Sequence, residues 1–262
     1  MCTIGVVYRK STLIIFKQYD SNEEILFNEP LIKEKNDIRY MSFEKQGVKG
    51  SWCGINNYGV GFTSSTPYIS KSKNTMSGKF SNNNLFEAYE NIISSYKTAK
   101  EAVEYIKGFF KSFLEPNILI VSDKDESYYI EGYNGEIIAV RYTPEFHSRY
   151  FVASNHFRFI KNAVSFEENH STYLRLNRAE DMLLRDCSIN GVIELLKDQY
   201  YGNSVMSICR SNEVCLEKEE KSYTQASVIF IVNNNSKDIS TYYNINGNPR
   251  DNGYIFKNYI FN

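Results

Sequence analysis

The chain has 262 residues, a net charge of −1 and five cysteines, Cys2, Cys53, Cys187, Cys209 and Cys215, none of them in a C-x-x-C pair. With charge so evenly balanced, nothing points to nucleic acid or an anionic membrane surface as a partner, and the odd cysteine count argues against a disulfide framework. Free thiols in a reducing, cytoplasmic setting are expected, with one large domain over residues 1–262 whose core needs neither metal nor disulfide.

Strand signals dominate the first third. Cys2–Tyr8 and Thr12–Gln18 are β-rich runs around the polar turn Arg9-Lys10-Ser11, which predicts an opening hairpin. The apolar run Thr12–Phe16 is too short to cross a bilayer, and nothing reads as a signal peptide. Gly50–Ile55 and Val60–Ser64 flank Asn56-Asn57-Tyr58-Gly59, a second turn signature.

Two amphipathic helices follow. Leu85, Phe86, Tyr89, Ile92, Ile93 and Tyr96 recur at helical spacing, as do Ala102, Val103, Ile106, Phe109, Phe110 and Phe113. Thr98-x-x-Glu101 has the form of a capping box for the second. Strands return at Ile118–Val121, Ser127–Gly132 and Glu136–Tyr142, the last two joined by the tight-turn dipeptide Asn134-Gly135, and again at Tyr150–Ala153. Helical patterns resume at Ser171–Arg185 and Val192–Leu196, and strands Ala226–Val232 and Ile239–Asn244 close the chain. Polar stretches Ser70–Asn84 and Glu213–Thr224 read as loops, the first a candidate gate. With 15% aromatic residues, including 21 Tyr and 17 Phe, this order predicts an α+β fold, a four-layer αββα sandwich of two antiparallel sheets between helix layers.

Four clusters bear on chemistry. Removal of Met1, which aminopeptidases favour before a residue as small as Cys, would give Cys2 a thiol and a free α-amine on one residue. An α-amine titrates at about 7.7–8.0 and can take the proton of its own thiol, leaving a nucleophilic thiolate. Asp20, at the end of the second hairpin strand, returns beside Cys2 and is placed to accept N–H bonds from that amine, although Asp20-Ser21-Asn22 also reads as an ordinary turn. Asn56 and Asn155, each on a turn or strand end, offer fixed N–H donors of the kind an oxyanion hole needs, and Asn-rich turns are equally common without function. His156 follows Asn155 as a catalytic or a structural histidine. Arg175 and Arg178 open the Ser171–Arg185 helix, where an arginine is ordinarily a solvated face but beside a thiolate would hold an anion.

In order, these motifs are an N-terminal Cys-Thr, a hairpin ending in Lys17-x-x-Asp20, Gly54-x-Asn56-x-x-Gly59, Ala153-Ser154-Asn155 and Arg175-x-x-Arg178. Their succession resembles the cysteine N-terminal nucleophile hydrolases. Within them it is similar to the linear-amide hydrolases: choloylglycine hydrolases, penicillin V acylases and acyl-CoA:6-aminopenicillanic acid acyltransferases. Ser154-Asn155-His156-Phe157, Ala226-Ser227-Val228-Ile229 and Tyr243-Asn244-Ile245-Asn246-Gly247-Asn248-Pro249 look closest to the acyltransferase branch.

The resemblance implies the αββα sandwich, with Cys2 as nucleophile, its amine as base, Asp20 orienting the amine, Asn56 and Asn155 as polar donors and Arg175 as the cation beside the thiolate. Arg178 takes that place if the helix register is shifted, and Lys17 and His156 join Arg178 in contacting substrate. It implies a small-molecule N-acyl amide or acyl thioester as substrate and no cofactor, and it leaves a homo-oligomer open. His147, His156 and His170 show no H-x-x-H spacing, so no metal is expected.

Two departures qualify it. Lys17 stands where bile-salt hydrolases place an arginine and lacks the bidentate fork for a carboxylate. No propeptide precedes Cys2 of the kind the acyltransferase branch often carries, so Met1 removal alone is expected to mature the site. Three activities fit: hydrolysis of a linear amide, transfer of an acyl group from a thioester to an amine, or a catalytically silent binding protein of the same fold.

Overall fold

Cys2–Arg9 (β1) and Thr12–Ser21 (β2) form the predicted hairpin, and both strands are buried on both faces. That explains their near-continuous apolar runs, since a strand covered on each side has no polar face to alternate with. The computed structural model describes residues 2–69, 82–145, 149–161, 166–211, 222–234 and 238–259. Most of Ser70–Asn84 and of Glu213–Thr224, together with Cys215 and His147, lies outside the described residues.

In one antiparallel sheet the order is β10-β1-β2-β11-β12-β13, where β10 is Tyr150–Ala153, β11 Tyr223–Asn233, β12 Ile239–Asn244 and β13 Ile255–Tyr259. The other is a seven-stranded meander in chain order: β3 (Leu31–Lys35), β4 (Ile38–Glu44), β5 (Ser51–Asn56), β6 (Gly61–Ser65), β7 (Asn117–Ser122), β8 (Ser127–Tyr133) and β9 (Glu136–Tyr142). Helices α1 (Asn82–Ser95) and α2 (Ala99–Phe110) cover the seven-stranded sheet; α3 (Ser171–Arg185) and α4 (Ile189–Leu196) cover the six-stranded one. A short α5 (Pro249–Asn252) precedes β13.

Three apolar layers hold this stack together. Ile4, Val6, Phe43, Trp52, Tyr129 and Phe230 fill the space between the sheets. Val103, Ile106 and Phe110 pack with Phe62 and Leu119 on one outer face, and Leu176, Leu183 and Val192 with Val7 and Phe16 on the other. The αββα sandwich is therefore the observed fold. At Gly5 the sheet is packed so closely that a Cβ would fall 2.2 Å from Phe16 Cζ and 2.9 Å from Phe151 O.

Local signals fared unevenly. Asn134 and Gly135 adopt φ of 50° and 80°, the left-handed pair a two-residue hairpin needs. Thr98 caps α2 by accepting from Glu101 N at 3.2 Å, and the Glu101 carboxylate accepts from the Thr98 hydroxyl. The β3–β4 hairpin, which turns through Asn36 and Asp37 at φ of 49° and 65°, and edge strand β13 are absent from the sequence reading. Both β3 and β13 are mostly exposed, so neither carries a buried face to show as alternation.

Candidate active site

The hairpin register sets out the site. Cys2 pairs with Tyr19 and Ile4 with Lys17, and directly opposed residues of an antiparallel pair share a face. Cys2, Ile4, Lys17 and Tyr19 therefore all face the gap between the sheets. At its end this gap opens into a cavity of about 310 Å³, lined by Cys2, Lys17, Tyr19, Asp20, Lys45 and Ser64 among others. A wider cleft of about 850 Å³ at the other end of the hairpin, around Arg9, Lys10 and Arg149, holds none of the predicted site residues. The smaller cavity is the candidate site because Cys2 and its charged neighbours Lys17, Asp20 and Lys45 converge there.

Cys2 is held by its backbone. Its nitrogen, the atom that removal of Met1 would turn into an α-amine, donates to Asn155 Oδ1 at 2.9 Å, and its carbonyl accepts from Arg175 Nη1 at 2.9 Å. Arg175 Nη2 also donates to Asn155 Oδ1, at 2.8 Å. Asn155 Nδ2 donates to Ser65 Oγ at 2.8 Å and Thr66 O at 2.7 Å. These partners fix the amide orientation, because Arg175 and Cys2 N can only donate and the Thr66 carbonyl can only accept.

Thr172 sits one turn before Arg175 on α3 and meets the same asparagine, its Oγ1 accepting from Asn155 N at 2.8 Å. His156 Nδ1 lies 2.9 Å from that hydroxyl, and the ring packs on Tyr173 with centroids 4.4 Å apart. Burial, aided by Arg158 and Arg175, pushes the imidazole down from 6.5 to about 4. His156 is therefore a neutral ring behind Asn155, and it is not among the cavity-lining residues.

Asp20 lines the cavity and is anchored from the sheet side. Its Oδ2 accepts from Arg210 Nη2 at 2.7 Å in an ion pair with both side chains fully buried, and its Oδ1 accepts from Thr224 Oγ1 at 2.7 Å. Lys17 is buried to 2% exposure, and its Nζ donates to Trp52 O at 3.2 Å and Ser64 Oγ at 3.1 Å. Those two bonds leave the third ammonium N–H for the cavity. Burial holds this ammonium below its ordinary value of 10.5, against the opposing influence of Cys2 and Cys53. Burial also pushes Arg175 down to about 10, with Arg210 adding repulsion.

Cys2, Lys17, Asp20, Asn155 and Arg175 are thus brought together, and Asn56 and Arg178 are not. Asn56 Nδ2 donates to Ile93 O at 3.0 Å and Tyr96 O at 2.8 Å, while its Oδ1 accepts from Tyr58 N and Val60 N, both at 3.0 Å. With both ends of its amide tied to the end of α1 and the β5–β6 turn, Asn56 has no donor left for a substrate oxyanion, which corrects the sequence expectation. Arg178 faces away and pairs with Asp198 at 2.6 Å, its guanidinium over the Tyr200 ring.

Sequence reasoning missed Arg210, Thr224, Ser64, Ser65 and Lys45. Arg210 lies 190 residues from the carboxylate it binds, with no local pattern to mark it. Thr172, by contrast, was within reach of pattern reading, since positions three apart on a helix share a face.

Among the described residues no helix is long and apolar enough to cross a membrane, and no cluster of three or more His, Cys, Asp or Glu could hold a metal. Two antiparallel sheets between helix layers, with a cysteine at the head of a central strand, make up the fold of the N-terminal nucleophile hydrolases. Solved structures that share it include an acid amidase, an acylase and a bile acid hydrolase. An N-acylethanolamine-hydrolyzing acid amidase ortholog from Caenorhabditis elegans matches with a TM-score of 0.57 at 14% identity, over 89% of this chain and 93% of that one. Penicillin V acylase from Agrobacterium tumefaciens matches at 0.56 and 13% identity, over 94% of this chain and 83% of that one. The conjugated bile acid hydrolase of Clostridium perfringens, as its C2A mutant, matches at 0.53 and 12% identity, over 100% and 97%. The sequence itself matches no protein-family model and no curated protein.

Proposed function

We propose that this protein hydrolyses linear N-acyl amides with Cys2 as an N-terminal nucleophile. The observation that carries the reading is the clamp on Cys2, whose nitrogen is held by Asn155 and whose carbonyl is held by Arg175 in a cavity that also presents Lys17. The fold shared with three amidases supports it.

Once Met1 is removed, the Cys2 amine takes the thiol proton and the sulfur attacks the amide carbonyl, forming a C–S bond. The carbonyl oxygen becomes an oxyanion, which the free Lys17 N–H is placed to stabilise. On collapse the C–N bond breaks, and the protonated amine returns its proton to the leaving nitrogen. The amine then takes a proton from water, which attacks the thioester. The C–S bond breaks, and the free acid leaves with the thiol restored. Asn155 fixes the direction of the amine lone pair, Arg175 fixes the Cys2 backbone, and Asp20, braced by Arg210, faces the same end of β1.

Intact-mass and peptide mass spectrometry after a brief substoichiometric iodoacetamide pulse tests this reading. Loss of Met1 with label concentrated on Cys2, followed by release of free acid from an amide panel that Cys2→Ala abolishes, is the expected result. Retained Met1, or label spread evenly over the cysteines, removes the base from the mechanism and refutes it.

A further inference from the structure

Lys45 follows β4 and is the second ammonium of the Cys2 cavity. Its Nζ lies 4.9 Å from the Tyr19 ring centroid and 4.6 Å from that of Phe86, while Lys17 Nζ lies 5.4 Å from the same Tyr19 ring. Two lysines thus share one aromatic side chain, and among the described residues neither forms an ion pair with a carboxylate. Two carboxylates line the cavity. Asp20 is engaged by Arg210, and Glu23 is exposed at the rim.

Largely desolvated cations are normally paired, because ring faces recover only part of the lost hydration. Lys17 and Lys45 both feel the Cys2 sulfur, and Lys45 also the rim carboxylate of Glu23, but neither ammonium has an anion in ion-pair contact among the described residues. Burial, and after it repulsion from Lys17, outweigh the opposing pull of Cys2 and Glu23 and push Lys45 down to about 8, so its charge is present at neutral pH. The cavity is therefore built to receive a negative charge beside the reacting carbonyl.

We propose that Lys45 is a specificity-determining residue whose ammonium binds an anionic group, a carboxylate or sulfonate, carried by the amide substrate. This inference rests on the assignment of the Cys2 cavity as the amide-cleaving site. Tyr19 and Phe86 flank the bound group with apolar surface and keep the ammonium directed inward. A substrate with a hydroxyl in place of the acid enters the same cavity but leaves Lys45 unpaired.

The test reads binding at Cys2 without requiring turnover. Cys2 alkylation is followed by mass spectrometry with iodoacetate and iodoacetamide, two reagents of nearly equal size that differ in charge. Both react through the thiolate, so the ratio of their rates reports the local field. The ratio is expected to fall about tenfold from wild type to Lys45→Met and to be largely kept in Lys45→Arg, the size of one partly screened charge contact. Protection of Cys2 in the wild-type protein by N-octanoylglycine, against N-octanoylethanolamine, gives a second measure independent of any variant. The glycine conjugate is expected to protect at about tenfold lower concentration. An unchanged rate ratio in a Lys45→Met protein with native circular dichroism overturns the proposal, and so does equal or absent protection by the two compounds. If Cys2 shows the charge preference but no amide is cleaved, the hydrolase reading fails and the anion site stands.

Discussion

Replacing Asp20 by asparagine tests how far the site depends on its buried ion pair. The Asp20–Arg210 bond is 2.7 Å long with both side chains at 0% exposure, so the substitution takes a buried counter-charge away from the Arg210 guanidinium. Nor can the new amide satisfy its neighbours. Thr224 Oγ1 already accepts from Gln18 Nε2 at 3.2 Å and Arg210 N at 3.1 Å, so it has no lone pair for the N–H that the Asp20→Asn side chain would bring. Turning the amide over sets that N–H against Arg210 instead. Breaking one side of a buried pair costs about 3–5 kcal/mol. At about 2–4 °C per kcal/mol for a domain of this size, the midpoint should fall by at least about 6 °C. Urea denaturation followed by tryptophan fluorescence, which reads the buried Trp52, measures the loss directly. Removing both charges in Asp20→Asn/Arg210→Met should recover part of it, because the desolvation cost of the buried cation disappears. A loss below about 1 kcal/mol in the single variant, the range of a solvated surface pair, would refute the reasoning.

The remaining predictions concern two residues that the sequence offered as site candidates. His156 is held from 6.5 down to about 4 by burial, so the unfolded chain binds this proton first as pH falls. At about 1.4 kcal/mol per pH unit this makes about 3 kcal/mol of stability that is present in full above pH 6.5 and is lost on acidification towards pH 4. His156→Phe should flatten the denaturant midpoint over that window, and an unaltered pH dependence would show the ring to be solvated. Asn56→Ala should lower stability by about 2–4 kcal/mol, since it strips partners from Tyr58 N, Val60 N and the carbonyls of Ile93 and Tyr96. The rate of Cys2 alkylation per folded molecule should stay at the wild-type value in that variant. A selective loss of Cys2 reactivity with stability intact would return Asn56 to the site.

What the sequence disclosed depended on burial. The β1–β2 hairpin was legible because its strands are covered on both sides and its turn is polar, and β8–β9 because Asn134-Gly135 admits few other conformations. Strands β3 and β13 were not, since an exposed edge strand such as Leu31-Ile32-Lys33-Glu34-Lys35 has no reason to alternate. The site followed the same logic. Asp20 and Cys2 lie on paired strands, so their proximity follows from one local turn. Arg175 follows from the start of α3, which sets Thr172 and Arg175 on one face. Arg210 joins Asp20 only once β11 is docked on β2, some two hundred residues away in the chain, and no periodicity reports a contact made that way.

Asn56 shows where composition misleads and where geometry corrects it. An asparagine in a Gly-flanked turn is equally suited to donate to an oxyanion and to fasten the turn, and the local string does not separate the two. The deciding information lies some forty residues on, in the helix ending at Ser95. Every helix leaves its last carbonyls without intrahelical donors, and a buried C-terminus must find them elsewhere. Here Asn56 Nδ2 supplies Ile93 O and Tyr96 O, joining the β5–β6 turn to α1 across the outer layer of the sandwich. Asn155 obeys the same rule of full satisfaction but is satisfied by Cys2 N, Arg175, Ser65 and Thr66, so its amide grips the Cys2 backbone. The two asparagines differ in which backbone they complete, and that difference makes one a fastening of the fold and the other part of the site.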